Sequence, residues 1–168
     1  MPRPIRLARL VGATAIPAAL VLALVGVPTA AAVEPSPAPS PAPAVVQLDP
    51  VPGGLAAAGR GSVRIHVPQD GTVTGTMRIG RLRVRGAEAV TVGKFASKET
   101  LKDGSVLYRG VQGSFSVGGK TFTLWMTGDG LRFTATGDGI AFLQGRGKFR
   151  VDDHAVRGWK LRGVHVRF

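Results

Sequence analysis

The sequence predicts an all-β fold, an antiparallel meander forming a sandwich or small flattened barrel, preceded by an N-terminal signal helix and a Pro-rich disordered linker. Apolar and polar residues alternate through most of residues 58–168, and no window there carries an apolar stripe of helical period and length. Glycines and Asp-Gly pairs recur between the alternating runs, as is typical of turns. We expect eight to ten short strands.

Residues 1–32 have the three parts of a secretory signal peptide. Three arginines precede an apolar stretch, residues 10–27, and small residues lead up to the expected cleavage after Ala32. The predicted location is therefore the secreted or extracytoplasmic cell-envelope space. If the signal is not cleaved, residues 10–27 approach the length that spans a bilayer and would anchor the protein to the membrane.

Residues 33–57 are predicted to be a Pro/Ala-rich disordered linker. Proline occupies nearly every second position from Pro35 to Pro43, which fixes φ and removes backbone donors. Such a segment either holds a domain away from the membrane or only separates it from the signal. The remaining residues, 58–168, form the predicted all-β domain.

The composition limits the chemical functions that the mature chain can have. After residue 32 the chain has 19 Lys and Arg against 10 Asp and Glu, a net charge of +9. Cysteine is absent, which excludes disulfides and a cysteine nucleophile. The excess of Arg over Lys, with abundant Ala and Gly, is typical of GC-rich bacterial genomes.

Three turn sequences, Gly118-Gly119, Asp129-Gly130 and Asp138-Gly139, predict one meander. If each is a two-residue hairpin loop, the large apolar side chains of residues 113–144 fall on one face of four antiparallel strands. The predicted core face consists of Phe115, Val117, Phe122, Leu124, Met126, Phe133, Ala135, Ile140 and Phe142.

Two other glycine-containing stretches predict bends. A two-residue hairpin at Arg146-Gly147 would mix polar with apolar partners, whereas a three-residue loop or a strand that runs through residues 145–147 keeps the alternation, and a bend or sheet corner is expected there. The apolar side of such a continuous strand would carry Ala141, Leu143, Phe149 and Val151. A change of phase at Gly80 predicts a second bulge or corner.

Basic side chains are the most general indication of function. Two groups occupy alternate strand positions and are candidate anion-binding residues: Arg81, Arg83 and Arg85, and Arg146, Lys148 and Arg150. Outside the membrane their partners would be anionic cell-wall polymers or lipid head groups. Intracellular nucleic acid is not expected, because Tyr108, Trp125 and Trp159 are isolated in the sequence. Simple solvation of the sheet by arginine is the alternative.

Asp152 and His154 are weak catalytic candidates. On an extended chain they lie on one side, with Asp153 on the other, and a carboxylate beside an imidazole can act in acid and base chemistry or hold a metal. They support the alternative of a small secreted hydrolase or metal-binding protein. Ordinary solvated turn and strand residues are the favoured explanation for them.

Two motif resemblances lack the features that their chemistry requires. The Gly-Asp-Gly repeats do not fit the calcium-binding nonapeptide frame. The stretch SFSVGGKT approaches a phosphate-binding loop but is followed by an alternating strand rather than a helix, so no nucleotide is expected. We expect no cofactor and no metal.

The sequence therefore predicts an exported, non-enzymatic β-domain that binds anionic surface polymers or lipids through Arg-rich strand faces. The hydrolase is the first alternative. A membrane-inserted β-barrel is the second, because the chain ends in an alternating strand that closes on Phe168.

Overall fold

A computed structural model describes residues 47–168, and this part of the chain is all-β. Its strands are β1 (Gly54–Arg85), β2 (Ala89–Lys94), β3 (Ser97–Thr100), β4 (Val106–Gly119), β5 (Phe122–Val151), β6 (Arg157–Gly158) and β7 (Val164–Arg167). Within residues 47–168 no helix has the length and hydropathy to cross a bilayer. The predicted signal peptide and the linker up to residue 46 lie outside the described residues.

The strands form one antiparallel sheet. The order is β2-β4-β1-β5-β6, while β3 also pairs with β4 and β7 also pairs with β5. The two longest strands, β1 and β5, lie at the centre of this order. Their pairing determines the shape of the sheet.

β1 pairs with β5 in more than one register, so the two strands wind around each other. Ala135 of β5 lies between Leu55 and Val73, two residues of the same strand β1. Val67 pairs with Phe122 and Thr72 pairs with Thr136. In a straight strand, the fourteen residues from Phe122 to Thr136 would span about 46 Å. The five residues from Val67 to Thr72, which pair with these two ends, span at most ~18 Å. The sheet must therefore curl until these ends come close together.

The curl divides the sheet into two halves that share the same long strands. The first half-sheet consists of residues 62–67, 81–85, 97–100, 106–109, 122–127, 140–144 and 164–167. The second half-sheet consists of residues 54–59, 72–77, 89–94, 113–118, 131–136, 146–151 and 157–158. Each long strand passes from one half to the other at a glycine-containing bend.

A row of four glycines crosses the sheet at this bend. Gly80 pairs with Gly128, Gly128 with Gly61, and Gly61 with Gly145. A Cβ atom on Gly61 would lie 2.1 Å from the carbonyl oxygen of Gln144, and one on Gly128 would lie 2.5 Å from that of Ile79. No side chain fits at such distances, so glycine is required where neighbouring backbones approach at the bend.

Both half-sheets contribute to one hydrophobic core. Ile65 and Leu124 of the first half and Val73 and Phe133 of the second belong to a single cluster of buried side chains. Along each strand these residues alternate with exposed ones, as period-two packing requires. The core side chains thus fix which residues point outward on each half.

A smaller apolar cluster lies on the opposite face of β1. Leu48 packs there with Ala56 and Ala58, and Val51 packs against the same cluster. The sequence pattern puts the start of the domain at residue 58, whereas β1 begins at Gly54 and Leu55 is fully buried. The sheet therefore includes the last residues of the predicted linker.

The predicted meander is wrong. β4 pairs with β1, β2 and β3 and not with β5, so Gly118-Gly119 is no hairpin loop between them. β5 continues through both Asp-Gly pairs, where Asp129 pairs with Ile79 and Asp138 with Gln69. The Asp-Gly pairs predict turns, but glycine instead permits close contact with a neighbouring strand, since a Cβ on Gly130 would lie 2.8 Å from the Cβ of Arg78.

The predicted core face is correct up to Ala135 and wrong beyond it. Its seven members from Phe115 to Ala135 are buried, whereas Ile140 is 44% exposed and Phe142 is half-buried. The error follows from the assumed third hairpin, because Ala141 and Leu143 face the core instead.

At Gly80 the pairing of β1 with β4 shifts register. At residues 145–147 β5 continues unbroken, with Ala141, Leu143 and Phe149 on its buried side. The alternation of side chains therefore predicted the irregularity at Gly80 and the continuous strand through residues 145–147.

Candidate anion-binding face

The outer face of the first half-sheet carries a line of cationic and aromatic side chains on five neighbouring strand segments, which belong to β1, β5 and β7. Arg83 pairs with Trp125, Trp125 with Arg64, Arg64 with Phe142, and Phe142 with His165. We call these five residues the basic-aromatic row. They point outward because their neighbours in each strand, such as Leu82 and Leu124, face the core.

Trp125 lies between the two arginines of the row. The guanidinium carbon of Arg83 lies 4.9 Å from the centroid of the Trp125 ring, and that of Arg64 lies 5.5 Å from it. Both distances are within the range of cation–π attraction, worth about 0.5–1 kcal/mol each at exposed sites. Further along, the rings of Phe142 and His165 have centroids 4.8 Å apart. Each side chain of the row is therefore in contact with a cationic or aromatic neighbour in the row.

The rows on either side add positive charge and no carboxylate. One row contains Arg85, Thr123, His66, Ile140 and Arg167, and the other contains Arg81, Thr127, Ser62 and Gln144. His66 Nδ1 lies 3.1 Å from the hydroxyl of Thr123. Across these three rows the face combines five arginines with two histidines and two aromatic rings.

Arg83 differs from its neighbours because its charge is compensated. Its Nε donates a hydrogen bond to the buried Ser105 hydroxyl at 2.8 Å, and its guanidinium forms an ion pair with Asp103. The Ser105 hydroxyl and backbone N–H donate hydrogen bonds to Asp103 and lower the pKa of its carboxyl to about 2. Desolvation opposes this lowering, and Arg83 adds to it. Arg83 is thus held in place beside Trp125.

Arg81, Arg83 and Arg85 share one face, as their spacing predicts. Among residues 47–168 the ion pairs are Arg78–Asp129, Arg83–Asp103 and Arg109–Glu99. Arg64, Arg81 and Arg85 take part in none of them. Their charges are therefore available to an external anion.

The second predicted group, Arg146, Lys148 and Arg150, lies on the second half-sheet. Arg146 pairs with Arg60, and with Arg132 these side chains line an open depression of about 520 Å³. Lys148 is exposed. Arg150 has a structural role, because Nη1 donates to the Leu48 carbonyl at 3.3 Å and Nε donates to the His154 carbonyl at 3.1 Å. The two groups do not converge on one site.

The candidate pair Asp152 and His154 is engaged with the backbone. Asp152 exchanges two hydrogen bonds with Gly54, through its own N–H at 3.0 Å and through its carboxylate, which accepts from the Gly54 N–H at 2.9 Å. The His154 N–H donates to the Val151 carbonyl, and the ring Nδ1 lies 3.1 Å from the same oxygen. Asp152 joins the end of β5 to the start of β1, and His154 belongs to a turn.

Within residues 47–168, no three acidic or histidine side chains come together as a metal site requires. The sequence SFSVGGKT leads from β4 into β5, where the Thr121 hydroxyl donates a hydrogen bond to the Pro68 carbonyl. This threonine serves the connection between strands.

A cleft lies at the β6 and β7 edge of the sheet, with a volume of about 510 Å³. Phe149 and Val151 of the second half-sheet and Val164 and Val166 of the first contribute apolar side chains to its lining. Arg157 and Lys160 also line it, and so does His154. Its lining contains no carboxylate.

Sequence reasoning missed the role of Trp125, Arg64 and Phe142. Each carried a local signal, since each alternates with core residues in a strand. Their proximity depends on pairing between residues 61 and 78 positions apart in the chain, such as Arg64 with Trp125 and Arg64 with Phe142. The other two residues of the aromatic set, Tyr108 and Trp159, are buried, so of the three only Trp125 presents its ring on this face.

Comparison of the chain with protein-family models, with curated proteins and with solved structures finds no match. The functional interpretation therefore depends on the chemistry of the faces described above.

Proposed function

We propose that this protein is an exported, non-enzymatic β-domain on a proline-rich tether that binds an anionic polymer of the cell envelope. The binding surface is the outer face of the first half-sheet, and the observation that carries the proposal is the basic-aromatic row. The curled sheet forms a small flattened barrel in this proposal, with the row across one broad side. The tether and the export signal come from the sequence pattern of residues 1–57.

The dimensions of the row suit a polymer better than a small anion. Neighbouring strands lie about 4.8 Å apart, so five side chains from Arg83 to His165 extend over roughly 19 Å. That length accommodates several units of a chain. Arg64, Arg81 and Arg85 supply cations for carboxylate or phosphate groups, and guanidinium groups bind such anions in bidentate geometry.

The aromatic side chains add a second type of contact. Trp125 and Phe142 are half-buried, so part of each ring faces solvent. An apolar ring surface beside guanidinium groups matches a sugar that has an apolar ring face and a charged substituent. This combination favours an acidic polysaccharide over anionic lipid head groups, which would use the charges but not the aromatic rings.

The proposal can be tested by retention on immobilised polygalacturonate at low ionic strength. Retention should weaken steeply with salt, because the screening length falls from about 10 Å at 0.1 M to about 3 Å at 1 M. The double variant Arg64→Gln/Arg85→Gln should elute at lower salt than the wild-type chain. Arg60→Gln/Arg146→Gln is the matched control, since it removes two exposed arginines from the second half-sheet.

Equal losses in the two double variants would mean that net charge alone drives retention, and the proposed face would be refuted. Vesicles of anionic phospholipid provide the second arm. If Arg64→Gln/Arg85→Gln impairs vesicle binding while neither the wild-type chain nor any variant is retained on polygalacturonate, the partner is a lipid surface instead.

A further inference from the structure

We propose that the cleft at the β6 and β7 edge binds a single-chain amphiphile with an anionic head group. This inference does not rest on the proposed polymer-binding function, although His165 and Arg167 belong to both surfaces. It starts from the edge of the sheet, where the last strands are short: β6 has two residues and β7 has four. Strands of this length leave part of the interior side of their neighbours uncovered.

The uncovered surface is apolar and comes from both half-sheets. Phe149 and Val166 are buried, whereas Val151 and Val164 are only half-buried at the cleft. All four pack in or against the main core cluster. The cleft therefore opens directly onto the apolar interior.

Three exposed cations, Arg157, Lys160 and Arg167, accompany this apolar surface. Arg157 and Lys160 line the cleft, and neither belongs to an ion pair within residues 47–168. The volume of about 510 Å³ lies within the usual range for small-molecule sites. An alkyl chain among Phe149, Val151 and Val164, with its carboxylate beside Arg157 and Lys160, satisfies both the apolar and the charged parts of the site.

The test is calorimetric titration of the full chain with octanoate, decanoate and dodecanoate below their micellar concentrations. Each buried methylene contributes about 0.8 kcal/mol, so affinity should rise about fourfold per carbon. Dodecyltrimethylammonium, which has the same chain length and a cationic head, should bind at least tenfold more weakly than dodecanoate. Affinity that does not depend on chain length, or equal binding of the cation, would overturn the proposal.

Variants of the cleft localise the site. Residues 1–46 are identical in all of the variants, so any binding by those residues does not change between them. Arg157→Ala/Lys160→Ala should weaken dodecanoate binding at least tenfold, while the matched control Arg132→Ala/Arg162→Ala should change it less than twofold. Val164→Thr keeps the side-chain volume but introduces a hydroxyl, and it should also weaken binding. If the two double variants lose affinity equally, the cleft is not the site.

Two further measurements separate this inference from its competitors. Arg64→Gln/Arg85→Gln should bind dodecanoate as the wild-type chain does, so failure of the polymer-binding face leaves the result unchanged. If dodecanoate does not bind and the chain dimerises with increasing concentration, the cleft is covered by a second copy and the proposal is wrong.

Discussion

Trp125 illustrates how a single side chain organises a surface. It is half-buried in β5, with a guanidinium group on each neighbouring strand close to its ring. Arg83 is held by Ser105 and Asp103, whereas Arg64 has no ion-pair partner among the described residues. The fixed arginine positions the ring, and the free arginine can bind a ligand without losing an internal salt bridge.

The Arg64–Trp125 contact should be measurable by a double-mutant cycle. We expect a coupling free energy of about 0.5–1 kcal/mol from denaturant unfolding of Arg64→Met, Trp125→Leu and the double variant. The cycle with Arg146→Met in place of Arg64→Met should give no coupling, because Arg146 lies on the second half-sheet. A coupling near zero for Arg64 would show that its guanidinium does not interact with the ring.

Asp103 should make stability depend on pH in the acid range. Its folded-state pKa is lowered to about 2 by the Ser105 hydroxyl and N–H, with help from Arg83, from an ordinary value of 3.8. The ionised carboxylate therefore stabilises the fold above pH 4, and this contribution is lost as the pH falls from about 4 through 2. The difference in urea midpoint between wild type and Asp103→Asn should shrink over this interval.

Ser105→Ala provides the control for the pH effect. It removes the hydroxyl that donates to Asp103, so the carboxyl should titrate closer to its ordinary value, and NMR titration of the side chain measures this change. A midpoint difference that stays constant from pH 5 to pH 2 would contradict the assignment.

At the scale of elements, the glycine row explains how β1 and β5 can each exceed 25 residues. Gly61, Gly80, Gly128 and Gly145 meet at the bend that separates the half-sheets. A side chain at any of these positions would meet the backbone of the next strand, at 2.1 Å for Gly61. The strands can therefore approach each other at this bend only because these four positions carry no side chain.

Gly61→Ala should destabilise the fold by about 2–3 kcal/mol or prevent folding, because the Cβ would clash with the Gln144 carbonyl and Gly61 has a φ of 141°. Gly158→Ala is the control, since a Cβ there has no neighbour closer than 3.9 Å and no strained φ. Thermal unfolding of the two variants measures the difference. Similar stabilities would contradict the close approach.

Arg150 connects two elements outside the main core. Its bonds to the Leu48 and His154 carbonyls hold the segment before β1 and the turn after β5. Arg150→Met should lower the free energy of unfolding by about 1–2 kcal/mol and increase hydrogen exchange at residues 48–51. Lys148→Met, which changes an exposed cation on the same strand, should do neither.

The elements were predictable to the extent that local alternation determines them. The strand character of residues 58–168, the phase change at Gly80 and the continuous strand through Gly145 all follow from which side chains alternate. The alternation did not show that β5 continues through Asp129-Gly130 and Asp138-Gly139. Glycine is suited both to a tight turn and to a close backbone contact, so the sequence does not distinguish the two. The candidate site depends on pairings such as Arg64 with Trp125, which no local pattern contains.

At the scale of the whole molecule, the order of the strands separates this fold from a meander. Residues 122–136 of β5 have residues 54–67 on one edge and residues 72–85 on the other. Both partners come from β1. Nearly every central pairing therefore joins parts of the chain that are far apart in sequence, and folding of such sheets is expected to be slow.

This topology predicts that a chain beginning at residue 87 will not fold. Without β1, residues 122–136 lose the partners on both edges, and residues 138–151 lose the strand that joins them to the rest of the sheet. We expect a random-coil circular dichroism spectrum and no cooperative unfolding transition. A chain beginning at residue 47, which keeps β1 and Leu48, should unfold as cooperatively as the full chain. A meander over residues 113–144 would contain its own strand partners, so cooperative unfolding of the shorter chain would contradict the wound arrangement of β1 and β5.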